Sequence, residues 1–318
     1  MTALAIRVRR IAASRGPRIA AALAAAALMA SLTGAARQPI TLYPVQAAFA
    51  SPGPYATTTE TVTDTSGTAI YDVFRPGDYS ALGFQSPIVT WGNGTGASPS
   101  KVSDFLSHLA SYGFTVIAST LPNTGSGREI DAAAHYLAAR NGVASSVFHG
   151  HLNVTEVAAA GTSQGATGAV RAATSDPALI KTVMTFSLPN PVWAAPNPDC
   201  PTAADCTAHP DALTRPVFFI STHGFWDSII ASPATEKGYF LSTPVHAALG
   251  IITSSDGKAA DHASIADPAS GGNPGGFLGY ATAWLEYQLR GNATAAGAFT
   301  GPHPELTANP NWPGSAVK

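Results

Sequence analysis

Short apolar segments alternate with amphipathic segments of helical length over most of this 318-residue chain. Such apolar runs, bounded by turn residues, are typical of strands buried on both faces of a sheet. Strands are predicted at residues 86–91, 114–119, 154–160, 180–187, 216–221 and 245–252. Helices are predicted at residues 100–112, 128–140, 164–173 and 276–290. Because a helix between two strands forms a crossover, this order predicts an α/β fold with a mainly parallel sheet and helices on both faces.

Two further strands are predicted ahead of this alternation, at residues 59–64 and 68–74. The turn residues Thr65, Ser66 and Gly67 join them, which indicates an antiparallel pair. No linker, internal repeat or long helical insertion interrupts the pattern, so we expect no large cap over the sheet. The prediction is a single catalytic domain at residues 51–300, followed by a C-terminal tail at residues 301–318.

The first 36 residues have the pattern of a signal peptide. Five arginines precede an apolar run at residues 19–32, and small residues follow it up to Ala36. The run is shorter than the roughly 20 residues that a membrane-spanning helix needs. Ala48-Phe49-Ala50 offers a later cleavage site, so the site of cleavage stays open. We expect a secreted, extracellular protein that is not stably inserted in a membrane after cleavage.

The net charge argues against a nucleic-acid partner, and the two cysteines indicate a disulfide. Loss of residues 1–36 leaves 12 of the 17 basic residues against 19 acidic ones, a formal charge of −7. Such a chain is not expected to bind nucleic acid. Cys200 and Cys206, with five residues between them, are expected to pair in an oxidising exterior. A metal site that includes His209 and a catalytic thiol are the alternatives.

The sharpest motif is Gly161-Thr162-Ser163-Gln164-Gly165, a Gly-x-Ser-x-Gly sequence between a predicted strand and a predicted helix. This is the context in which a serine nucleophile lies on a tight strand-to-helix turn. The glycines let the neighbouring chain pass without a β-carbon clash. The backbone N–H of Gln164, at the start of the helix, is one expected donor to an oxyanion.

A serine hydroxyl needs a general base, and the base needs a carboxylate that orients it. In this kind of fold the chain order is serine, acid, histidine. Asp227 follows the strand at residues 216–221 after a short loop, and His262 lies in the loop between the last predicted strand and the last helix. Asp261 precedes this histidine and is interpreted as a supporting or solvent-facing residue. His223 is the rival base, but it precedes Asp227 in the chain.

A glycine-rich loop, Gly92-Asn93-Gly94-Thr95-Gly96, follows the strand at residues 86–91. Its backbone N–H groups can approach a substrate oxygen closely, so this loop is expected to provide the second oxyanion donor. Thr95 is the first choice for that donor and Gly94 the second. Asn93, in the same loop, is a candidate substrate contact.

Residues 71–290 resemble the cutinase and polyester-hydrolase branch of the α/β-hydrolases, including poly(ethylene terephthalate) (PET) hydrolases and the dienelactone-hydrolase-like group. The likeness rests on residues 91–96 and 109–117, on the Gly-x-Ser-x-Gly, on Trp226-Asp227-Ser228-Ile229, on Ala260-Asp261-His262 and on Ala283-Trp284-Leu285. It implies an α/β-hydrolase fold, the triad Ser163, Asp227 and His262, and oxyanion donors at Thr95 and Gln164. It also implies that Trp193 lines the substrate cleft.

The sequence departs from that family's pattern at Thr162 and Gln164, where polyester hydrolases have His and Met, and at Thr95, where they have an aromatic residue. We expect a monomeric serine esterase that forms an acyl-enzyme and uses no metal or cofactor. Its substrates are expected to be small esters, lipids or polyesters. A serine peptidase or acyltransferase with the same triad, and a non-catalytic binding protein of the same fold, are the alternatives.

Overall fold

A central sheet of nine strands organises the part of the chain that the structure describes. The computed structural model describes residues 42–194, 200–265 and 275–318. The strands in chain order are β1 (Thr57–Thr63), β2 (Ala69–Pro76), β3 (Ser86–Gly92), β4 (Thr115–Ser119), β5 (Leu152–Thr162), β6 (Ile180–Phe186), β7 (Val217–Thr222), β8 (Ala247–Ile252), β9 (Ser254–Ser255), β10 (Lys258–Ala259) and β11 (Ala316–Val317). In space the order is β1-β2-β4-β3-β5-β6-β7-β8-β11, and β9 and β10 form a separate hairpin.

The six strands from β3 to β8 are parallel to one another, and β1, β2 and β11 pair antiparallel at the two edges. The carboxyl ends of the parallel strands therefore meet at one edge of the sheet, where loops can form a ligand cleft. The predicted α/β fold, with a mainly parallel sheet and antiparallel N-terminal strands, is confirmed.

Helices pack on both faces of the sheet. They are α1 (Pro44–Ala50), α2 (Ser103–Ser111), α3 (Arg128–Asn141), α4 (Gln164–Ser175), α5 (Phe225–Ile230), α6 (Pro233–Ser242), α7 (Gly275–Arg290), α8 (Ala293–Ala296) and α9 (Glu305–Ala308). Side chains alternate between the faces of a strand, so the neighbours Ile88 and Val89 in β3 belong to opposite cores. One core includes Phe105 of α2 and Trp284 of α7, and the other includes Leu137 of α3.

The domain is larger at both ends than the sequence predicts. Gln46 in α1 is fully buried, and the Glu305 carboxylate accepts hydrogen bonds from the backbone N–H groups of Val45 and Gln46 at 2.7 and 2.9 Å. Residues 301–318, expected as a C-terminal tail, include β11, which pairs with β8. A two-residue edge strand has too short a pattern to be found in a sequence. The signal peptide expected at residues 1–36 lies outside the described residues.

The connections above the carboxyl edge of the sheet consist of loops and short helices. Between β6 and β7 the described residues contain three short 3₁₀ turns, and α5 and α6, after β7, were not predicted. Within the described ranges, no additional helical domain is inserted over this edge, as expected from the sequence. Among the same residues, no helix has both the length and the apolar character that crossing a bilayer requires.

Candidate active site

Ser163 lies on a sharp turn between the end of β5 and the start of α4. Its backbone has φ 53° and ψ −123°, a conformation that costs a residue with a side chain on the order of 1 kcal/mol or more. A hydrogen bond from its N–H to the carbonyl oxygen of Phe186, at 2.9 Å, holds the turn in place. A β-carbon on Gly165 would overlap the carbonyl of Gly92, so only glycine allows this close approach. The turn projects the serine hydroxyl from the sheet edge.

The structure brings the three predicted triad side chains together. The imidazole Nε2 of His262 lies 2.9 Å from the Ser163 hydroxyl, and its Nδ1 lies 2.7 Å from the carboxylate of Asp227. Asp227 is fully buried, while 17% of the His262 side chain is exposed. Because an ionised carboxylate can only accept a hydrogen bond, Nδ1 carries the proton and Nε2 is free to accept one from the serine. This is the arrangement that general-base activation of a hydroxyl needs.

The buried carboxylate of Asp227 is held by several donors on its second oxygen. Oδ2 accepts from the Ser187 hydroxyl at 2.9 Å and from the N–H and hydroxyl of Thr222 at 2.9 and 2.7 Å. The hydroxyl of Ser221 is 3.3 Å away, but its single hydrogen points to the carbonyl of Ala231 at 2.7 Å. These donors offset the cost of burying the charge and leave Oδ1 for the histidine. Neither Ser187 nor Thr222 was predicted as a site residue.

Thr95 and Gln164 face each other beside Ser163. The Gln164 amide group donates to the Thr95 hydroxyl at 2.9 Å, and its carbonyl oxygen accepts from the N–H groups of Thr124 and Gly125 at 3.0 and 2.9 Å. The backbone N–H groups of Thr95 and Gln164 have no hydrogen-bond acceptor among the described residues. They are therefore available to a substrate oxygen, and the Gln164 side chain ties together the two loops that surround them.

Asn93 does not have the role that the sequence suggested. Its side chain is 1% exposed and does not line the cavity next to Ser163. Its side-chain amide N–H group donates to the backbone oxygens of Ser119 and Leu121 at 2.6 and 3.1 Å, and its backbone carbonyl accepts from the Thr124 hydroxyl at 3.0 Å. Burial and these bonds hold Asn93 away from the cavity lining in this conformation. Asn93 instead anchors the glycine-rich loop to the loop after β4.

A cavity of about 530 Å³ opens beside Ser163 and His262. Thr95 and Gln164 form one side, and Gly94, the second choice for an oxyanion donor, also lines it. Most of the remaining wall is apolar and is formed by Ala97, Pro189, Pro191, Trp193, Ala194, Ala208, Ile230 and Ala263. The nucleophile thus faces a pocket that suits an uncharged group.

A model of the PET hydrolase-like family matches residues 35–195, half of the chain. The chain belongs to the PET hydrolase-like family. The match includes the glycine-rich loop and Ser163, while Asp227 and His262 lie beyond the matched residues. No curated protein matches the sequence. Membership of this family indicates a hydrolase whose substrate is a small molecule or a polymer.

Trp193 lines the cavity of this PET hydrolase-like chain and is 49% exposed. Its indole N–H donates to the carbonyl of Ile229 at 3.0 Å, which links the loop after β6 to α5. The same region exposes other large apolar side chains, with Phe225 67%, Trp226 56% and Val192 83% exposed. Val192, Phe225, Trp226 and Ile229 form what we call the apolar rim. Ile230, next along α5, belongs to the cavity wall.

The alternatives to the predicted site were His223 as the base and the two cysteines as a thiol or metal site. His223 is exposed, and no hydrogen bond from it to Ser163 is found in the described residues. Cys200 and Cys206 form the expected disulfide, which excludes a free catalytic thiol and a cysteine–metal site. Among the described residues, one group of possible metal ligands lies outside the cavity, on α3 and just after α4. It consists of Asp131, His135 and Asp176.

Two further carboxylates of the PET hydrolase-like chain, those of Glu236 and Asp261, lie near the candidate triad. Glu236 in α6 is fully buried, and its Oε1 accepts from the N–H of Leu188 at 2.7 Å. Burial, aided by the negative charge of Asp227, raises the pKa of the Glu236 carboxyl well above its usual range. Asp261 was expected to support the site or to face solvent, and its carboxylate accepts hydrogen bonds from backbone N–H groups of both the acid loop and the base loop.

Proposed function

We propose that this protein is a secreted serine carboxylic-ester hydrolase that works through an acyl-enzyme intermediate. The observation that carries the proposal is the continuous hydrogen-bonded chain from the Ser163 hydroxyl through His262 to the buried carboxylate of Asp227. The cavity beside this chain gives an ester carbonyl a place to bind. Membership of the PET hydrolase-like family supports the same reaction class.

In the proposed reaction the Ser163 oxygen attacks the ester carbonyl carbon while His262 Nε2 takes the hydroxyl proton. The carbonyl electrons move onto its oxygen, where the N–H groups of Thr95 and Gln164 bind the negative charge. Asp227 stabilises the imidazolium. When the tetrahedral adduct collapses, the C–O bond to the alcohol breaks and the imidazolium returns its proton to the leaving alkoxide. Water then repeats the sequence on the acyl-enzyme and releases the acid. No metal or cofactor is required.

The substrate class follows from the lining of the cavity. Its wall is mostly apolar, and within the described residues that line it no Asp, Glu, Lys or Arg is present. The exposed apolar rim lies on α5 and on the loop after β6, both of which also contribute residues to the cavity wall. These features favour uncharged esters with apolar acyl groups, as in lipids, cutin-like polyesters or short acyl esters. A series of p-nitrophenyl esters of increasing chain length, followed by polyester films, measures this preference.

The test of the reaction is the variant Ser163→Ala. We expect it to fold as the wild type does, to lose p-nitrophenyl ester hydrolysis and to lose labelling by a fluorophosphonate probe. Full activity in this variant would refute the proposal. A peptidase or acyltransferase with the same triad would prefer amides or acyl transfer to an added alcohol in a matched substrate panel. A binding protein would leave the probe unreacted even as wild type.

Export is supported by the N-terminal pattern and by the disulfide Cys200–Cys206. Cleavage after Ala50 would remove α1, whose Gln46 is fully buried against the rest of the domain. We therefore place the cleavage after Ala36. N-terminal sequencing of protein recovered from the medium tests the site, and a mature chain that begins at Ser51 would contradict it. Size-exclusion chromatography of the same material tests the expected monomer.

A further inference from the structure

We propose that Asp261 is a positioning residue that holds the triad acid and the triad base together through a single carboxylate oxygen. The inference rests on the proposed function, because it assigns roles to Asp227 and His262. It adds a residue that neither binds the substrate nor takes part in proton transfer.

The geometry of the Asp261 carboxylate carries the proposal. Its Oδ1 accepts hydrogen bonds from the backbone N–H of Asp227 at 3.0 Å and from that of His262 at 2.7 Å. Its Oδ2 accepts from the backbone N–H of Trp226 at 3.2 Å. Hydrogen bonds to an ionised acceptor are stronger than neutral ones. One oxygen therefore joins the main chains of the two residues whose side chains must meet.

The acid loop and the base loop are far apart in the chain. Asp227 lies on α5 after β7, whereas His262 follows the β9–β10 hairpin, 35 residues later. The base loop makes its own turn, in which the N–H of Asp261 donates to the Ser264 hydroxyl and the N–H of Ser264 donates to the Asp261 carbonyl, both at 2.8 Å. This turn orients the Asp261 side chain but does not connect it to α5. The carboxylate makes that connection.

The acid loop is shaped to receive this carboxylate. Gly224 precedes α5, and a β-carbon there would overlap the Asp261 side chain. The N–H groups of Trp226 and Asp227 belong to the first turn of α5 and have no acceptor within the helix. A carboxylate at this end satisfies them and interacts favourably with the helix dipole. The side chain thus fixes the orientation of α5 and with it the direction of the Asp227 carboxylate.

The experiment compares Asp261→Ala and Asp261→Asn with the wild type in full-length mature protein. An asparagine can place its amide oxygen at the Oδ1 position and keep both bonds to the acid and base loops, whereas alanine loses all of them. A loosened triad geometry is expected to cost up to about 100-fold in rate. We expect Asp261→Ala to lower kcat by about 10- to 100-fold with KM within about twofold, and Asp261→Asn to stay within about fivefold of the wild-type kcat.

The matched control is Asp64→Ala. One oxygen of Asp64 also accepts two backbone N–H groups, those of Ser66 at 2.8 Å and Thr68 at 3.0 Å, but in the turn between β1 and β2 at the other edge of the sheet. We expect this variant to change thermal stability and not kcat. Rates are measured well below the melting temperature of each variant, so that unfolding does not contribute to them.

Three outcomes would overturn the inference. These are a wild-type kcat in Asp261→Ala, a kcat in Asp261→Asn as low as in Asp261→Ala, and an equal loss in Asp64→Ala. In each of these cases the proposed function is retained if the wild-type protein still hydrolyses esters and reacts with the fluorophosphonate probe. A wild-type protein that does neither overturns the proposed function and this inference with it.

Discussion

The hydroxyl of Ser187 donates a hydrogen bond to the Asp227 carboxylate over 2.9 Å, from a backbone with a φ of 52°. Ser187 directly follows β6, and its N–H donates to the carbonyl of Ile220 in the neighbouring strand at 2.7 Å. A positive φ is costly for a residue with a side chain. Here it turns the hydroxyl toward the acid of the triad, so the strained position coincides with a direct contact to a candidate catalytic group.

Replacing Ser187 with alanine is expected to weaken the hold on Asp227. The variant removes one donor to a buried carboxylate, a change worth on the order of 1–3 kcal/mol. We expect kcat for a p-nitrophenyl ester to fall by roughly tenfold and the free energy of unfolding to drop by an amount in that range. Steady-state kinetics and urea denaturation measure the two effects. Ser80→Ala, on an exposed turn, is the control, and equal effects in both variants would contradict the assignment.

The buried carboxyl of Glu236 predicts a pH dependence of stability. Its pKa is raised in the folded state, so the unfolded chain releases this proton at a lower pH than the folded one. The stability contributed by the protonated form is present below pH of about 4.5 and is lost as the pH rises toward the folded pKa. Glu236→Gln cannot ionise and can keep the hydrogen bond from Leu188.

We therefore expect the free energy of unfolding of Glu236→Gln, relative to wild type, to increase between pH 5 and pH 8, by at most about 1.4 kcal/mol per pH unit. Urea denaturation at several pH values gives this difference. Asp211→Asn on the surface serves as the control. A constant difference across the range would show that Glu236 has the same pKa in both states.

The Gln164 side chain is expected to support the oxyanion site without contacting the substrate oxygen itself. Gln164→Ala keeps the backbone N–H but removes the bonds to Thr95, Thr124 and Gly125. We expect kcat to fall by roughly 10-fold, because a displaced oxyanion donor stabilises the transition state less. Thr95→Val removes only the bond to the Thr95 hydroxyl and is expected to have a smaller effect. The reverse order of the two variants would argue against this role.

The apolar rim is expected to matter for large substrates and little for small ones. Phe225 and Trp226 lie on the exposed surface of α5, with ring centroids 5.3 Å apart. Burying a large exposed aromatic side chain against an apolar surface is worth about 1.5–3 kcal/mol. Phe225→Ser is therefore expected to reduce adsorption to polyester films or lipid emulsions by roughly tenfold. Hydrolysis of p-nitrophenyl acetate should stay within about twofold of wild type, and an equal loss on both substrates would point to a structural effect.

The parallel sheet and the meeting of the three candidate triad residues could be predicted from the sequence. Buried strands are read from their continuous apolar character, and the edges at which they end are shared by the whole sheet. Ser163, Asp227 and His262 each follow such a strand, so the order of elements was enough to predict that their side chains meet. The disulfide between Cys200 and Cys206 was predicted because two cysteines close together in the chain are expected to pair in an oxidising exterior.

The contacts that hold the site in place could not be read from the sequence. The roles of Ser187 and Asn93 depend on whether a side chain turns toward the cavity or into the protein, and both choices are compatible with the same local pattern. β11 has only two residues and is stabilised by its pairing with β8, which is a contact between distant parts of the chain.

The class of fold and the residues that meet at the sheet edge could be predicted from the sequence alone, because both follow from periodicity and from the order of elements along the chain. The uses of Asp261 and Glu236 depend on the folded arrangement. Asp261 accepts hydrogen bonds from backbone N–H groups of two loops, and Glu236 is buried where the charge of Asp227 helps to raise its pKa. Such roles depend on distances between segments that are far apart in the chain, and local patterns contain no information about those distances.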